Sequence, residues 1–176
     1  DHIVFNALVE IRDVTSWSGL SLYGENNIIQ YLDYKNASSN LYGSSTHNSW
    51  FQNITMDGNG IEIYSSDFTL INNNTISNAN NAIYAYDCDP VEIRNNTIDQ
   101  FNQYGIYFNN SENAIVDGNS ITNISETGTI YGIYGNNSSN ALSAYQEVTN
   151  NTIHFIRPGD NNYSSYSAYG IYDIRN

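Results

Sequence analysis

Four carboxylates lie at related positions of a repeating sequence, where they could act together. Aligning the chain on a recurring Gly-Ile-Tyr motif places Asp67, Asp89 and Glu112 at one position of three successive repeats, with Asp87 nearby. Carboxylates about 5 Å apart either bind a cation such as Ca²⁺ or hold a proton at a raised pKa, as acid–base catalysis requires. Aspartate is also common in solvated turns. The four residues are therefore a candidate calcium site, with turn formation as the alternative.

A row of tyrosines is the second candidate for function. The residue after the isoleucine of each motif points outward if the segment is a strand, which predicts one exterior row: Tyr42, Tyr84, Tyr107, Tyr134 and Tyr172. Such a row offers rigid contact area with a polar tip and could stack on sugar rings or pack against another protein surface. The alternative is a ladder held by its own stacking. We expect an interface.

The other reactive side chains give few candidates. Cys88 is the single cysteine, so it cannot form a disulfide within the chain and is a candidate for an intermolecular Cys88–Cys88 bond. No basic residue accompanies the carboxylates, because Arg94 falls on a different strand of the repeat, and the three histidines lack metal-ligand spacing. No phosphate loop or nucleophile motif occurs. We assign no catalytic residue and predict that the protein is not an enzyme.

Asn-x-Ser/Thr sequons are numerous in this asparagine-rich chain. Those in the repeat turn, such as Asn53, Asn73, Asn95 and Asn150, are explained by structure. Sequons expected in loops are the candidate glycan acceptors for an exported protein: Asn36, Asn109, Asn123, Asn136 and Asn162.

Charge and hydropathy exclude several classes of partner. Five Lys and Arg residues against 18 Asp and Glu give a net charge of -13, which repels nucleic acid. The apolar runs are far shorter than the roughly 20 residues that a membrane span needs. The chain begins at Asp1 without a signal-like segment, which suits either a mature protein whose signal peptide has been removed or a shortened chain. We expect an exported protein located outside the cell or at its surface.

Two repeated motifs specify the elements that must position these side chains. Asn-Asn-Thr-Ile and its variants end at positions 56, 76, 98, 121 and 153, so the steps are 20, 22, 23 and 32 residues. The Gly-Ile-Tyr motif has its first apolar residue at positions 20, 41, 61, 83, 106, 133 and 171. Segments between the motifs alternate apolar and polar residues, which indicates strands. Periods of this length indicate a solenoid.

The expected fold is all-β: a parallel β-helix of about seven coils that forms one domain over residues 1–176. The isoleucines of each motif should stack in two inward columns, and an asparagine ladder should run beside the second: Asn74, Asn96, Asn119 and Asn151. The preceding position holds residue types that tolerate a left-handed backbone: Asp13, Asn53, Asn73, Asn95, Gly118 and Asn150.

These motifs resemble the right-handed parallel β-helix repeat family, the pectin-lyase-like superfamily, over nearly the whole chain. The resemblance implies the fold and, as one functional alternative, a polysaccharide lyase, glycoside hydrolase or carbohydrate-binding module acting on cell-surface polysaccharide. In composition the chain also resembles archaeal sheath and surface-layer proteins.

The ends of the repeat series favour assembly over enzymatic activity. The chain begins and ends within a repeat and shows no capping segment, so both ends are expected to be uncapped, with Ile3, Phe5, Ile171 and Ile174 at the contact. Two partial repeats from successive copies make one whole repeat. We therefore expect a self-assembling extracellular structural protein, joined head to tail as a homopolymer without a cofactor, apart from the candidate Ca²⁺.

Overall fold

The computed structural model describes residues 4–6, 18–124, 128–137, 145–156 and 166–175, with the side chains of residues 4–6, 124, 137, 156, 166 and 175 excepted. Every regular element in this part of the chain is a strand, as the alternating segments predict. The strands are β1 (Val4–Asn6), β2 (Ser21–Tyr23), β3 (Ile28–Gln30), β4 (Asp33–Tyr34), β5 (Leu41–Ser44), β6 (Trp50–Gln52), β7 (Thr55–Asp57), β8 (Ile61–Tyr64), β9 (Thr69–Asn72), β10 (Thr75–Tyr86), β11 (Val91–Arg94), β12 (Thr97–Asn109), β13 (Ile115–Asp117), β14 (Ser120–Ile124), β15 (Gly128–Asn137), β16 (Glu147–Thr149), β17 (Thr152–Ile156) and β18 (Tyr166–Arg175).

The strands form two parallel sheets that the chain visits in alternation. Sheet A has the order β1-β3-β6-β9-β11-β13-β16. Sheet B contains β17-β14-β12-β10-β8-β5-β2, with β15, β18, β4 and β7 attached. Strands that neighbour each other in a sheet come from successive repeats, so one repeat forms one coil of a parallel β-helix. In the described residues no helix is long and apolar enough to span a membrane.

Strand register stacks like residues on like, as the repeats predict. Ile83 pairs with Ile61 on one side and with Ile106 on the other, and Ile76 pairs with Met56 and Ile98. All six are buried. A third inward column, on sheet A, consists of Ile29, Phe51, Ile71, Ile93 and Val116. Burial of one side of every strand explains the alternating sequence, because side chains of a strand point to opposite faces in turn.

The predicted asparagine ladder is present and joins four coils. The Nδ2 groups of Asn74, Asn96 and Asn119 each donate to Oδ1 of the next asparagine at 2.9 Å, and Asn151 completes the series. Each Oδ1 also accepts the backbone N–H of the preceding coil, and each Nδ2 donates to one of its carbonyl groups. The amides are thus satisfied although three of the four asparagines are buried.

The left-handed turn before this ladder is also confirmed. Asn53, Asn73, Asn95 and Asn150 have φ between 53° and 55°, and Gly118 has φ 68°. Asp13 lies outside the described residues. Tyr31 occupies the same turn position, with φ 57°, and its N–H donates to the next coil as that of Asn53 does. The sequence did not predict Tyr31, because a bulky side chain is unusual in this conformation.

Candidate functional site

The predicted tyrosine row exists on the exterior of sheet B. Rings of Tyr84, Tyr107, Tyr134 and Tyr172 stack in succession with centroid separations of 4.4, 5.2 and 5.3 Å and interplanar angles of 5°, 8° and 20°. The parallel register accounts for this, because it places Tyr107 beside both Tyr84 and Tyr134, and Tyr134 beside Tyr172. The row is a continuous ring stack.

Glu62 interrupts the tyrosine row, and the ring of Tyr64 bridges the gap. Glu62 pairs in register with Tyr42 and Tyr84, so it stands where a tyrosine would otherwise stack. Tyr64, two residues further along the strand, contacts Tyr42 at 5.5 Å and Tyr84 at 5.6 Å. Sequence reasoning missed Tyr64, although the motif Ile-Glu-Ile-Tyr shows that the aromatic residue has moved by two positions.

A second tyrosine row, which sequence reasoning also missed, runs beside the first. Tyr104, Tyr131 and Tyr169 pair in register, and their rings stack at 5.3 and 5.0 Å. Each lies three residues before a member of the first row, and edge-on contacts join the two rows, as between Tyr131 and Tyr134 at 5.1 Å and 85°. We call the combined surface the tyrosine face: Tyr23, Tyr42, Tyr64, Tyr84, Tyr86, Tyr104, Tyr107, Tyr131, Tyr134, Tyr169 and Tyr172.

Glycines hold the coils close enough for this stacking. A Cβ on Gly105 would lie 2.6 Å from the carbonyl oxygen of Gly132, and a Cβ on Gly132 would lie 2.7 Å from that of Gly170. Real Cβ atoms do not approach a backbone oxygen so closely. The glycine of the Gly-Ile-Tyr motif is thus needed for the contact between backbones, and the tyrosine two positions later is carried into register with its neighbours.

The stacking determines what the tyrosine face can offer a ligand. In the interior of the rows the ring faces contact other rings, so edges and hydroxyl groups are what point outward. The pKa is raised for four tyrosines, Tyr64, Tyr84, Tyr104 and Tyr134. Burial is the largest cause, and the neighbouring phenols raise the pKa further. The folded state therefore favours the neutral form of these four phenols. The interior of the tyrosine face does not provide the free ring faces on which a sugar would stack.

The four predicted calcium ligands do not converge. Among the described residues no group of three or more His, Cys, Asp or Glu side chains could hold a metal ion. Oδ1 of Asp67 accepts the N–H of Asp89 at 3.1 Å, and Oδ1 of Asp89 accepts the N–H of Asn113 at 3.0 Å. Asn113, not Glu112, therefore continues the series, and the alignment of Glu112 was wrong by one residue. Asp87 is a separate turn residue with φ 54°.

The side chains of Asp67 and Asp89 thus act as ties between coils. The same role falls to His47, one coil earlier, whose Nδ1 accepts the N–H of Asp67 at 3.0 Å. Each side chain satisfies a backbone group of the coil that follows, as the alternative of turn formation implied. We do not propose a calcium site.

Cys88 is fully buried and cannot reach a second chain. Its Sγ lies 3.3 Å from the carbonyl oxygen of Tyr86, and burial raises the pKa of the thiol to about 12. The prediction of an intermolecular disulfide is therefore wrong. Cys88 occupies an inward corner position at which the neighbouring coils have Ser66 and Ser111. It is a core residue, similar in size to these serines.

The candidate glycan acceptors differ in accessibility. Asn36 is exposed and Asn136 is half-buried, whereas Asn123 is buried and its Nδ2 donates to the carbonyl of Phe101 at 2.6 Å. Nδ2 of Asn109 donates to the hydroxyl of Tyr107 at 2.9 Å. The prediction for Asn123 is wrong, because its amide is buried and engaged within the fold, whereas Asn109 is half-buried and stays a prediction. Asn162 lies outside the described residues.

The residues predicted for the assembly contact are only partly described. Ile3 and the side chain of Phe5 fall outside the description, although the backbone of β1 pairs with β3. Ile171 is 56% exposed, while Ile133, its partner in the preceding coil, is fully buried. Ile174 is half-buried. An isoleucine of the inward column is thus uncovered on the open side of β18.

A surface on sheet A was not anticipated. Trp50 and Phe68 are 46% and 63% exposed and line a recess of about 190 Å³ together with Leu70, Pro90 and Glu92. Arg94 stands nearby on the same strand as Glu92, and it binds both Glu92 at 2.8 Å and Asp117 at 3.1 Å. The outward-facing Trp in a half-apolar strand was the available signal for this surface.

Comparison with known proteins agrees with this architecture. The family model for the right-handed beta helix region matches residues 8–153. No curated protein and no solved structure gives a significant match. Since the matched segment covers most of the chain and the strands form parallel coils throughout the described part, this protein belongs to the right-handed β-helix family.

Proposed function

We propose that the chain is a subunit of a self-assembling extracellular structural protein, such as a surface layer, sheath or filament. The observation that carries the proposal is the open side of β18. Ile171 is 56% exposed, although Ile133, its partner in the preceding coil, is buried. Tyr169 and Tyr172 are 41% and 37% exposed, whereas their partners Tyr131 and Tyr134 are half-buried. In the described residues β18 pairs with β15 alone.

The two ends of the described β-helix have complementary shapes, which supports a second copy as the occupant. Sheet A extends to β1 before sheet B begins at β2, and sheet B extends to β18 after sheet A reaches β16. A second copy placed in register would lay its β2 along β18 and its β1 along β16. Leu20 would then cover Ile171. Full burial of one such side chain contributes about 2 kcal/mol, in addition to the new ladder of backbone hydrogen bonds.

The experiment is light scattering and negative-stain electron microscopy of the purified chain as its concentration rises. Ile171→Lys should abolish assemblies, because it places a charge in the buried column. Phe68→Ser, on another face, is the matched control and should leave them unchanged. Monodisperse monomers of the unaltered chain at high concentration would refute the proposal.

Asp173 gives a second, opposite test of the same contact. Its Oδ1 would lie 3.2 Å from a Cβ placed on Gly135, so it occupies the inward column that holds Phe108 two coils away. A copy added in register would place Leu22 against this carboxylate, which opposes assembly because the charge loses water. Asp173→Ala should lower the concentration needed for assembly by about tenfold, equivalent to about 1.4 kcal/mol.

Carbohydrate binding is a second candidate, and the sheet A recess is the observation that favours it. Exposed Trp50 and Phe68 beside Glu92 combine an apolar ring surface with a hydrogen-bonding carboxylate. Binding of an extracellular polysaccharide there should change the tryptophan fluorescence, and Trp50→Ala should abolish the interaction. Equal retention of the unaltered chain and of the Trp50→Ala variant on immobilised polysaccharides would refute it.

A further inference from the structure

The tyrosine face places many phenols in direct contact along the axis of the β-helix. From Tyr23 to Tyr172 every ring in the path lies within about 6 Å of the next: the separations are 6.2, 5.5, 5.6, 4.4, 5.2 and 5.3 Å. The closest pair, Tyr84 and Tyr107, joins adjacent coils with rings only 5° from parallel. Each contact along this path links residues 19 or more positions apart in the chain.

Parallel rings at this separation bring their reactive carbons together. In a phenoxyl radical the unpaired electron resides partly on the ring carbons ortho to the oxygen. Two tyrosines that stack in register hold these carbons over one another at about the ring separation. The backbone spacing of about 4.8 Å between coils maintains the arrangement along the whole row. Tyr84, Tyr107 and Tyr134 are half-buried, so their side chains remain partly in contact with solvent, to which a proton can leave.

We propose that the tyrosine face is a site of oxidative cross-linking, at which dityrosine bonds form between successive coils of the same chain. A one-electron oxidant, such as a peroxidase intermediate formed from hydrogen peroxide, removes one electron from each of two phenols, and each phenol releases one proton. The two radicals couple through a new carbon–carbon bond between ortho positions. Each ring then moves its ortho hydrogen to oxygen and becomes aromatic again. Overall, two tyrosines and one hydrogen peroxide give one dityrosine and two water molecules.

The proposal goes beyond assembly and does not depend on it, because the coupled residues belong to one chain. Dityrosine bonds would link successive coils covalently, whereas hydrogen bonds and packing alone join them in the unmodified chain. Oxidation of any exposed tyrosine of the tyrosine face can reach Tyr84 and Tyr107, the closest pair, since the rings form an unbroken path along which a radical can move. Cys88 does not compete as an electron donor, because the thiol is buried and its pKa is raised to about 12.

The test is photosensitised oxidation of dilute protein with persulfate as the electron acceptor, followed by dityrosine fluorescence and mass spectrometry of the digested chain. Cross-linked peptides should join Tyr84 with Tyr107 and Tyr107 with Tyr134, on a chain that stays monomeric under denaturing conditions. A triple variant with Tyr84→Phe, Tyr107→Phe and Tyr134→Phe keeps the rings but lacks the phenols, and it should lose at least half of the intramolecular product. Tyr31→Phe, at an exposed turn on another corner, is the control and should retain it.

A second measurement keeps the result interpretable if the triple variant folds poorly. The unaltered chain is oxidised both folded and after unfolding in urea, and coupling between adjacent coils should be lost on unfolding. The proposal is overturned if the folded chain gives only intermolecular links through Tyr31 or Tyr145, or if the pattern of linked peptides is the same in both states.

Discussion

The asparagine ladder and the tyrosine face are two columns produced by the same repeat, one inside the β-helix and one outside. Inside, Asn74, Asn96 and Asn119 are buried, and each amide satisfies backbone groups of neighbouring coils. Outside, the column tolerates Glu62, because Tyr64 fills the gap from an adjacent position. A column is strict where a polar group must be satisfied without water, and it is permissive where solvent can substitute.

The largest effect should come from breaking the inner column. Asn96→Ala removes four hydrogen bonds and leaves the N–H of Asn74 and the carbonyl of Ile71 buried without these partners. We expect a loss of about 3 kcal/mol or more in the free energy of unfolding, measured in urea. The exposed Asn102→Ala is the control, with an expected change within about 0.5 kcal/mol. Similar losses for both variants would show that the ladder is not specially stabilising.

The adjoining left-handed turn should respond less. Asn95 has φ 53°, and Asn95→Val forces a β-branched side chain into this conformation, at a cost of about 1–2 kcal/mol. Asn95→Gly should be nearly neutral, since Gly118 occupies the same position in the next coil. If both variants unfold at the same urea concentration, backbone conformation is not what selects asparagine here.

The smallest effect concerns the outer column and depends on pH. Burial and neighbouring phenols raise the pKa of Tyr84 and Tyr134 in the folded state, so folding favours the neutral form. This contribution to stability is fully present below the ordinary tyrosine pKa of about 10 and is lost as the pH rises through the folded values. Titration followed by phenolate absorbance should show tyrosines that ionise above pH 10 in the folded chain and at about 10 in urea. Coincident titrations would contradict the described packing.

Most of the fold could be predicted from the sequence, and the candidate site only in part. The positions of Ile61, Ile83 and Ile106 in one column follow from their spacing, because each coil must bury one face. The spacing also predicted Tyr84, Tyr107 and Tyr134 as one exterior row. It misplaced Glu112 by one residue, because coils differ in length and an outer corner carries no apolar residue that fixes the alignment. Asn113 takes the position instead.

The repeat itself determined that this chain forms a parallel β-helix, since periods of about 20 residues with alternating strands have few other ways to bury their apolar faces. Only the tertiary structure decided what the exterior does. Tyr104 and Tyr131 become a second stacked row, Cys88 becomes a core residue, and Asp67 becomes a tie between coils. These outcomes depend on how neighbouring coils align at their corners, where hydrogen bonds and ring contacts between residues distant in sequence determine the arrangement.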